Sequence, residues 1–401
     1  MGEPPSSVQP SPRESTPSQR TEVLSEPLQQ VPLADLPGEH RRLLVRALDR
    51  ILSTEIAEVT YAQIVDGLPI ANVIWDSREP PYDRHPILAD DVHEDICPGI
   101  LEKTRELRET FDFGTLVFEA KLLHGYRTCS PGSRGFKIRF LEMVAVAVHQ
   151  IAAILFDLDL SIHKHDGIAN WAAPKSDEMY WRWYPDGPLP SLFRHPWYPN
   201  YKQYPRGAAD MVGYWAESRI FGGVMLFDRR NPDVEPGVDP EAVYFHPDRK
   251  DQTYRIAQLL PEQRQALLDF CLDDTPPPLS NPLPILIDHN NSVRVDPEEL
   301  TRTSGIYRDL WDRRELGDDE WDIRLKDVVN GTDYPTLDQY GASQRRAYKR
   351  KWAMSDLEAL DSDDDGVSDP VEPQEASGPQ RAPSPDYRRN GSPPSNPWDE
   401  F

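Results

Sequence analysis

Cysteine is scarce in this sequence, and the few that occur are far apart. Cys97, Cys129 and Cys271 are the only cysteines among 401 residues. An odd number at such wide spacing excludes a disulfide framework, and no Cys-x-x-Cys pair is present to form a zinc knuckle. The pattern is typical of buried thiols in a reducing compartment.

Positive charge is also in short supply. Lys and Arg number 44 against 68 Asp and Glu, which gives a net charge of -24. Such a chain repels phosphate backbones and anionic lipids, so neither nucleic acid nor a membrane is expected as a partner. The N-terminus has no apolar run of the kind that a secretory signal needs. We therefore expect a cytoplasmic protein.

The common catalytic motifs are missing as well. The sequence contains no G-x-S-x-G elbow, no G-x-x-x-x-G-K-[ST] phosphate loop, no G-x-G-x-x-G fingerprint after a strand and no H-E-x-x-H. Each motif marks only part of its enzyme class, so their joint absence makes catalysis less expected without excluding it. No cofactor is expected from these patterns.

Apolar residues make up 38% of the chain, and 15 of its 41 prolines lie in the two short end segments, residues 1–33 and 353–401. Residues 1–33 are rich in Pro, Ser and Gln, and residues 353–401 form an acidic tail rich in Pro and Ser. Such compositions bury too little apolar surface to offset the entropy of ordering, so both ends are predicted to be disordered. Residues 34–352 are predicted to form a single globular domain.

The predicted fold class is α+β, with a helical layer around one central apolar helix at about 133–160. This segment is apolar nearly all round from Met143 to Phe156, which is typical of a core helix. His149 within it is interpreted as a core histidine bonded to a carbonyl. Apolar runs over about 212–257, broken by Gly222-Gly223 and by "PDRKDQ", predict a small antiparallel β meander.

Two shorter elements are predicted on either side of this region. The segment "LPIANVIWD" has the composition of a short strand. In "DPEELTRTSGIYRDLWDR", Asp296 can cap a last helix that has Pro297 at its first position.

The stretch "SIHKHDG" contains the first candidate site. In an extended segment, residues two apart point to the same side, so His163 and His165 could reach one metal ion, with Asp166 as a third ligand. A metal-dependent hydrolase-like enzyme is one function that such a cluster would support. The simpler interpretation is the polar end of the central helix, and it is preferred because the other histidines are distant in the sequence.

Aromatic residues crowd the segment 171–215, which suggests a second candidate site. Trp181, Trp183, Trp197 and Tyr198 could form a stacking surface for a carbohydrate or another ligand. Large aromatic side chains in irregular chain more often close one side of a core, and we favour that alternative.

A basic cluster lies near the predicted end of the domain, in "RRAYKRK". Its charged residues are Arg345, Arg346, Lys349, Arg350 and Lys351. Such a run can act as a nuclear targeting signal, or it can be the solvated end of a helix. We expect a mainly cytoplasmic protein with some nuclear fraction.

The block "HPWYPNYKQYPRGAADMVGYWAESRIFGGVMLFDRR", followed by "AVYFHPDR" and "GIYRDLWDRR", resembles a group of proteins from filamentous (ascomycete) fungi. The resemblance covers about residues 40–350 and implies a fungal source, and it brings no activity, cofactor or catalytic residue with it. Together with the missing motifs, this favours a non-catalytic intracellular protein that acts through contacts with a protein partner. The metal-dependent enzyme and the ligand-binding module remain the alternatives.

Overall fold

The computed structural model describes residues 29–349, except 90, 236, 254, 275–279, 296–303, 310, 314–332, 335 and 347. The α-helices with fully described bounds are α1 (Gly38–Leu52), α2 (Glu55–Asp66), α3 (Ala71–Trp75), α4 (Ile100–Thr110), α5 (Ala120–Thr128), α6 (Arg134–Asp157), α7 (Glu178–Trp183), α8 (Ala208–Phe221) and α9 (Pro261–Leu272). The strands are β1 (Gln30–Pro32), β2 (Val117–Glu119), β3 (Val224–Asp228), β4 (Val243–His246), β5 (Ala257–Leu259), β6 (Ser292–Arg294) and β7 (Ile306–Tyr307).

The central helix α6 confirms the predicted apolar core helix and the α+β class. Ser133 caps it by accepting a hydrogen bond from the Phe136 amide at 3.2 Å. Helices α1, α2, α5 and α8 pack against it. Among the described helices, α6 alone is long and apolar enough to cross a membrane, yet 72% of that apolar stretch is buried inside the domain. It therefore has the character of a core helix.

The predicted antiparallel meander is also present, with different bounds. Strands β3 to β6 are neighbours in chain order, and β7 pairs with the free edge of β3, so the sheet order is β6-β5-β4-β3-β7. Met225 and Phe227 contribute to the main core, whereas Val224 and Leu226 contribute to a second core around Tyr198. Because side chains alternate along a strand, the sheet is buried on both faces.

The first part of the predicted meander is a helix instead. Residues 208–221 form α8, and every residue in it except Ala208 is buried. A helix that is buried all round shows no one-sided apolar period, which is why the sequence pattern did not indicate it. Gly222 ends α8 in the left-handed conformation, with φ at 106°.

Three further predictions are corrected at the level of single elements. The segment predicted as a strand around residue 72 contains α3. Residues 30–32, inside the predicted arm, pair with β2. The last predicted helix begins in residues that the structure does not describe, and Ser304 is helical. The second half of that predicted helix is wrong, because Ile306–Tyr307 form β7 and pair with β3.

All described residues belong to one compact unit that ends at residue 350, and the predicted tail lies outside the described residues. A small separate core of Leu68, Ile74 and Ile87 supports the loops between α2 and α4. These loops carry His93 and Cys97, two residues of the candidate site.

Candidate metal centre

Four side chains with metal-binding atoms meet beside the end of α2. They are Asp66, His93, Cys97 and His163, and their potential ligand atoms all lie within 4.8 Å of one another. Asp66 is the last residue of α2, His93 and Cys97 precede α4, and His163 follows α6. The cluster therefore joins three segments that are distant in the sequence.

The end of α2 fixes the position of the loop that carries His163. Gly67 ends α2 with φ at 102°, and a β-carbon there would lie 1.7 Å from Oγ of Ser161. Ser161 Oγ donates to the Asp66 carbonyl at 3.0 Å and accepts from the His163 amide at 3.0 Å. The glycine is required both for its conformation and for this close approach.

Asp66 lies at the centre of the cluster and is fully buried. Its Oδ2 accepts hydrogen bonds from the Cys97 amide at 2.8 Å and from His93 Nε2 at 3.1 Å. Oδ1 lies 3.4 Å from His163 Nε2 but makes no hydrogen bond with any residue that the structure describes. Burial acts to raise the pKa of Asp66, and the hydrogen bonds from His93 and Cys97 outweigh it and hold this pKa below its usual value.

Both histidines have their outer ring nitrogen fixed by an acceptor. His93 Nδ1 lies 3.1 Å from the Pro69 carbonyl, and His163 Nδ1 lies 2.6 Å from Oδ2 of Asp166. A carbonyl and a carboxylate only accept, so Nδ1 carries the proton in each ring. Asp66 Oδ2 is also only an acceptor, so His93 Nε2 carries a proton when no metal is bound; burial acts to lower the pKa of His93, but the hydrogen bonds to Asp66 and Pro69 raise it. An imidazole Nε2 can lie this close to a carboxylate oxygen of Asp66 only when a proton or a metal ion lies between the two atoms.

His93 is also held in a strained backbone conformation. Its φ is 49°, in the left-handed region that residues other than glycine rarely adopt. The His93 carbonyl accepts a hydrogen bond from the Ala71 amide at 3.0 Å, which helps to hold this geometry. Strained residues of this kind are concentrated at functional sites.

Cys97 completes the cluster with a partly buried thiol. Its Sγ lies 3.4 Å from His163 Nε2. Burial and the negative charge of Asp66 raise the pKa of Cys97. A divalent cation among these atoms would reverse that effect, because a coordinated thiol loses its proton.

The structure separates the three residues that the sequence grouped as ligands. His163 belongs to the cluster, and Asp166 lies behind it and orients its ring. His165 is exposed and is not part of the cluster. Asp66, His93 and Cys97 were missed, although the spacing His93-x-x-x-Cys97 is a local signal that could have indicated a pair of ligands.

The four aromatic residues proposed as a stacking surface do not form one. Trp183 is 70% exposed, and Trp181 lies under the ammonium of Lys175, with Nζ 3.1 Å from its ring centroid. Trp197 stacks on His246, and Tyr198 is fully buried in the second core. These residues therefore belong to two different environments.

The basic cluster is accessible where it is described. Residues 337–346 and 348–349 are helical, and Arg345, Arg346 and Lys349 are exposed. Arg350 and Lys351 lie outside the described residues.

Comparisons with known proteins give no relative for this chain. No family model matches it, and no match was found among curated proteins or solved structures. Any function must therefore be argued from the chemistry of the chain itself.

Proposed function

We propose that this domain binds a divalent transition metal, with zinc preferred, through Asp66, His93, Cys97 and His163. The observation that supports it best is the orientation of the two imidazoles: both direct Nε2 toward Asp66 while a carbonyl or a carboxylate holds Nδ1. Metal-binding histidines nearly always have such a partner on the second nitrogen, because it fixes the tautomer and the ring. The buried Asp66 Oδ1, which has no hydrogen-bond partner in the described part of the chain, is a further candidate ligand.

The spacing of the atoms agrees with tetrahedral coordination. Bond lengths of about 2.0–2.3 Å to nitrogen, oxygen and sulfur place neighbouring ligand atoms roughly 3.3–3.7 Å apart. The distances from His163 Nε2 to Cys97 Sγ and to Asp66 Oδ1 are both 3.4 Å. The mixture of imidazole, thiolate and carboxylate suits zinc better than magnesium or calcium, which prefer oxygen ligands.

Four protein ligands complete a tetrahedral set, and this favours a structural role for the metal. A catalytic zinc usually keeps one position for water or substrate. The ion would join the end of α2 to the loops before α4 and after α6, and so hold this part of the domain together. This supports the expected non-catalytic role through protein contacts more than metal-dependent hydrolysis.

Elemental analysis of the full chain, purified without chelators, tests the proposal. We expect one zinc ion per chain, lost in His93→Ala and in Cys97→Ala. His165→Ala and Cys129→Ala are matched controls that should keep the metal, because neither residue belongs to the cluster. After replacement by cobalt(II), thiolate-to-cobalt absorption should be present in Cys129→Ala and absent in Cys97→Ala. A chain that takes up no metal even after reconstitution with zinc would refute the site.

One observation favours a second candidate function. Cys97 Sγ lies 3.4 Å from His163 Nε2, and His163 Nδ1 lies 2.6 Å from the carboxylate of Asp166. A cysteine nucleophile, the histidine that acts as its base and the acid that orients the histidine have the same order. The charge of Asp66 opposes it, because it contributes to the raised pKa of Cys97.

Alkylation by iodoacetamide separates the two functions. A nucleophile would make Cys97 react faster than Cys129 at neutral pH, with or without a chelator. A metal ligand would be protected by bound zinc and would become reactive after chelation.

A further inference from the structure

A second site lies in the aromatic part of the domain and is independent of the metal proposal. A shallow cleft, open to solvent, is formed where the loop before residue 86 meets the segment 169–194. Its walls include the rings of Tyr82, His85, Trp171, Tyr180 and Tyr184. The cleft encloses about 40 Å³ and is otherwise open, so a ligand would lie along its walls with one side in solvent.

The aromatic walls are held in place by their own contacts. The rings of Tyr82 and Trp171 are nearly parallel, with 22° between their planes, and Tyr180 meets both edge-on. The Tyr82 hydroxyl donates a hydrogen bond to the carboxylate of Asp177 at 3.0 Å. The same carboxylate caps α7 by accepting a hydrogen bond from the Tyr180 amide. A preformed site of this kind loses little conformational entropy when a ligand binds.

Two hydrogen-bond donors on the cleft wall have donor capacity left over. Nη2 of Arg194 donates hydrogen bonds to the carbonyls of Glu79 and Pro80, both at 3.2 Å. The other two guanidinium nitrogens of Arg194 contact no acceptor among the described residues. His85 is 7% exposed, and its Nδ1 accepts from the Ile87 amide at 3.2 Å. The neutral ring therefore carries its proton on Nε2, which has no acceptor in the described part of the chain.

The cleft lining carries one charged side chain, the guanidinium of Arg194, with the carboxylates of Glu79 and Asp177 close behind the wall. Burial, with a smaller contribution from the charge of Arg194, lowers the pKa of His85 to about 4, so the imidazole is neutral at pH 7. Arg194 thus supplies the charge, and His85 supplies a neutral donor. Among the described residues that line the cleft, none has a carboxylate or carboxamide side chain. A neutral sugar, whose hydroxyl groups need acceptors, fits such a lining poorly.

We propose that this cleft binds a small planar aromatic carboxylate. The ring of the ligand would pack on the faces of Trp171 and Tyr184. Its carboxylate would accept a charge-assisted hydrogen bond from Arg194 and a second hydrogen bond from His85 Nε2. The positive lining would select anions, and the aromatic walls would select flat rings.

Calorimetric titration of the full chain with benzoate, phenylacetate and their uncharged amides tests this proposal. The amide of each pair keeps the ring and removes the charge. We expect each carboxylate to bind roughly tenfold or more tightly than its amide, the gain typical of a hydrogen bond to a charged group. Arg194→Gln should reduce the carboxylate to the affinity of the amide. Trp171→Ala should weaken both members of a pair.

The matched control is Trp183→Ala, which changes an exposed tryptophan on α7 outside the cleft and should leave both affinities unchanged. His85→Phe provides a second variant that keeps an aromatic ring, and it should weaken only the carboxylate. Absence of binding by either carboxylate, or equal binding of acid and amide, would overturn the proposal. Undiminished binding of the carboxylates by Arg194→Gln would also overturn the proposal. None of these results bears on the metal, because zinc content is measured separately.

Discussion

Gly213 of α8 lies directly against the imidazole of His149 on α6, and a β-carbon at position 213 would come within 2.5 Å of His149 Nε2. His149 is held between Asp210 at 3.2 Å and Glu217 at 3.3 Å. Its partners are thus carboxylates and not the carbonyl that the sequence suggested. The absence of a side chain at 213 allows α8 to approach α6 closely enough for these contacts.

Gly213→Ala should therefore destabilise the domain. The added methyl group must displace a buried histidine, and overpacking of this kind costs about 1–3 kcal/mol. Gly125→Ala is the matched control, because a β-carbon in that helical position would meet Arg139 only at 3.6 Å, an ordinary contact. It should be neutral or stabilise the helix by up to about 1 kcal/mol. Urea unfolding measures both, and equal stability of the two variants would contradict the close approach.

Leu155→Ala should reduce the free energy of unfolding by about 2–5 kcal/mol. Leu155 is 5% exposed on the central helix, so the substitution leaves a cavity in the main core. Leu158→Ala makes the same change at a position that is 48% exposed and should cost little. A loss below about half a kcal/mol for Leu155→Ala would show that α6 does not fill the core as described.

Stability should fall in acid because of His85. Its pKa is about 4 in the folded protein, against the ordinary histidine value of 6.5 that applies to the unfolded chain. Above pH 6.5 the ring is neutral in both states. As the pH falls from 6.5 to about 4, the unfolded chain binds a proton that the folded chain does not, so stability decreases by up to about 3 kcal/mol.

Urea unfolding measured between pH 6.5 and pH 4 tests whether His85 causes this loss of stability. His85→Phe should lose less stability than the parent chain between neutral pH and pH 4. His165→Gln, which replaces an exposed histidine, should follow the parent. Parallel curves for the parent and His85→Phe would assign the acid sensitivity to other groups.

Nuclear entry should increase when the acidic tail is removed. Arg345, Arg346 and Lys349 are exposed, and the tail from residue 355 carries acidic residues such as Asp361 and Asp363 that can neutralise them. A fluorescent fusion that lacks residues 355–401 should show a larger nuclear share than the full chain. Changing all five basic residues to Ala in that fusion should reverse the gain. An unchanged distribution after tail removal would refute masking by the tail.

The sequence predicted the parts of the fold that depend on local composition. The core helix follows from one long apolar run, and the structure confirms it. Helix α8 could not be predicted in this way, since burial on all sides removes the amphipathic period. The sequence suggested a turn at Gly222-Gly223, where the structure has a helix end followed by a strand.

The candidate metal centre was harder to predict because its parts are not neighbours. Only His163 of the four cluster residues was identified beforehand, and its companions come from segments before α4 and from the end of α2. Sequence spacing does not show that a loop after α6 returns to the end of α2. The turn at Gly67, which admits Ser161, produces that meeting.

The pairing of Arg308 with Glu217 affects how the domain is made on the ribosome. Glu217 is fully buried, and both of its oxygens accept from Arg308, which follows it by 91 positions. Synthesis of that interval takes roughly 5–18 s at ordinary elongation rates. During this time the nascent chain lacks Arg308, the native partner of the Glu217 carboxylate, and lacks β7, which pairs with the edge of β3. The domain therefore completes its core only after residue 308 has emerged, and chains that stop short of it are expected to need chaperones.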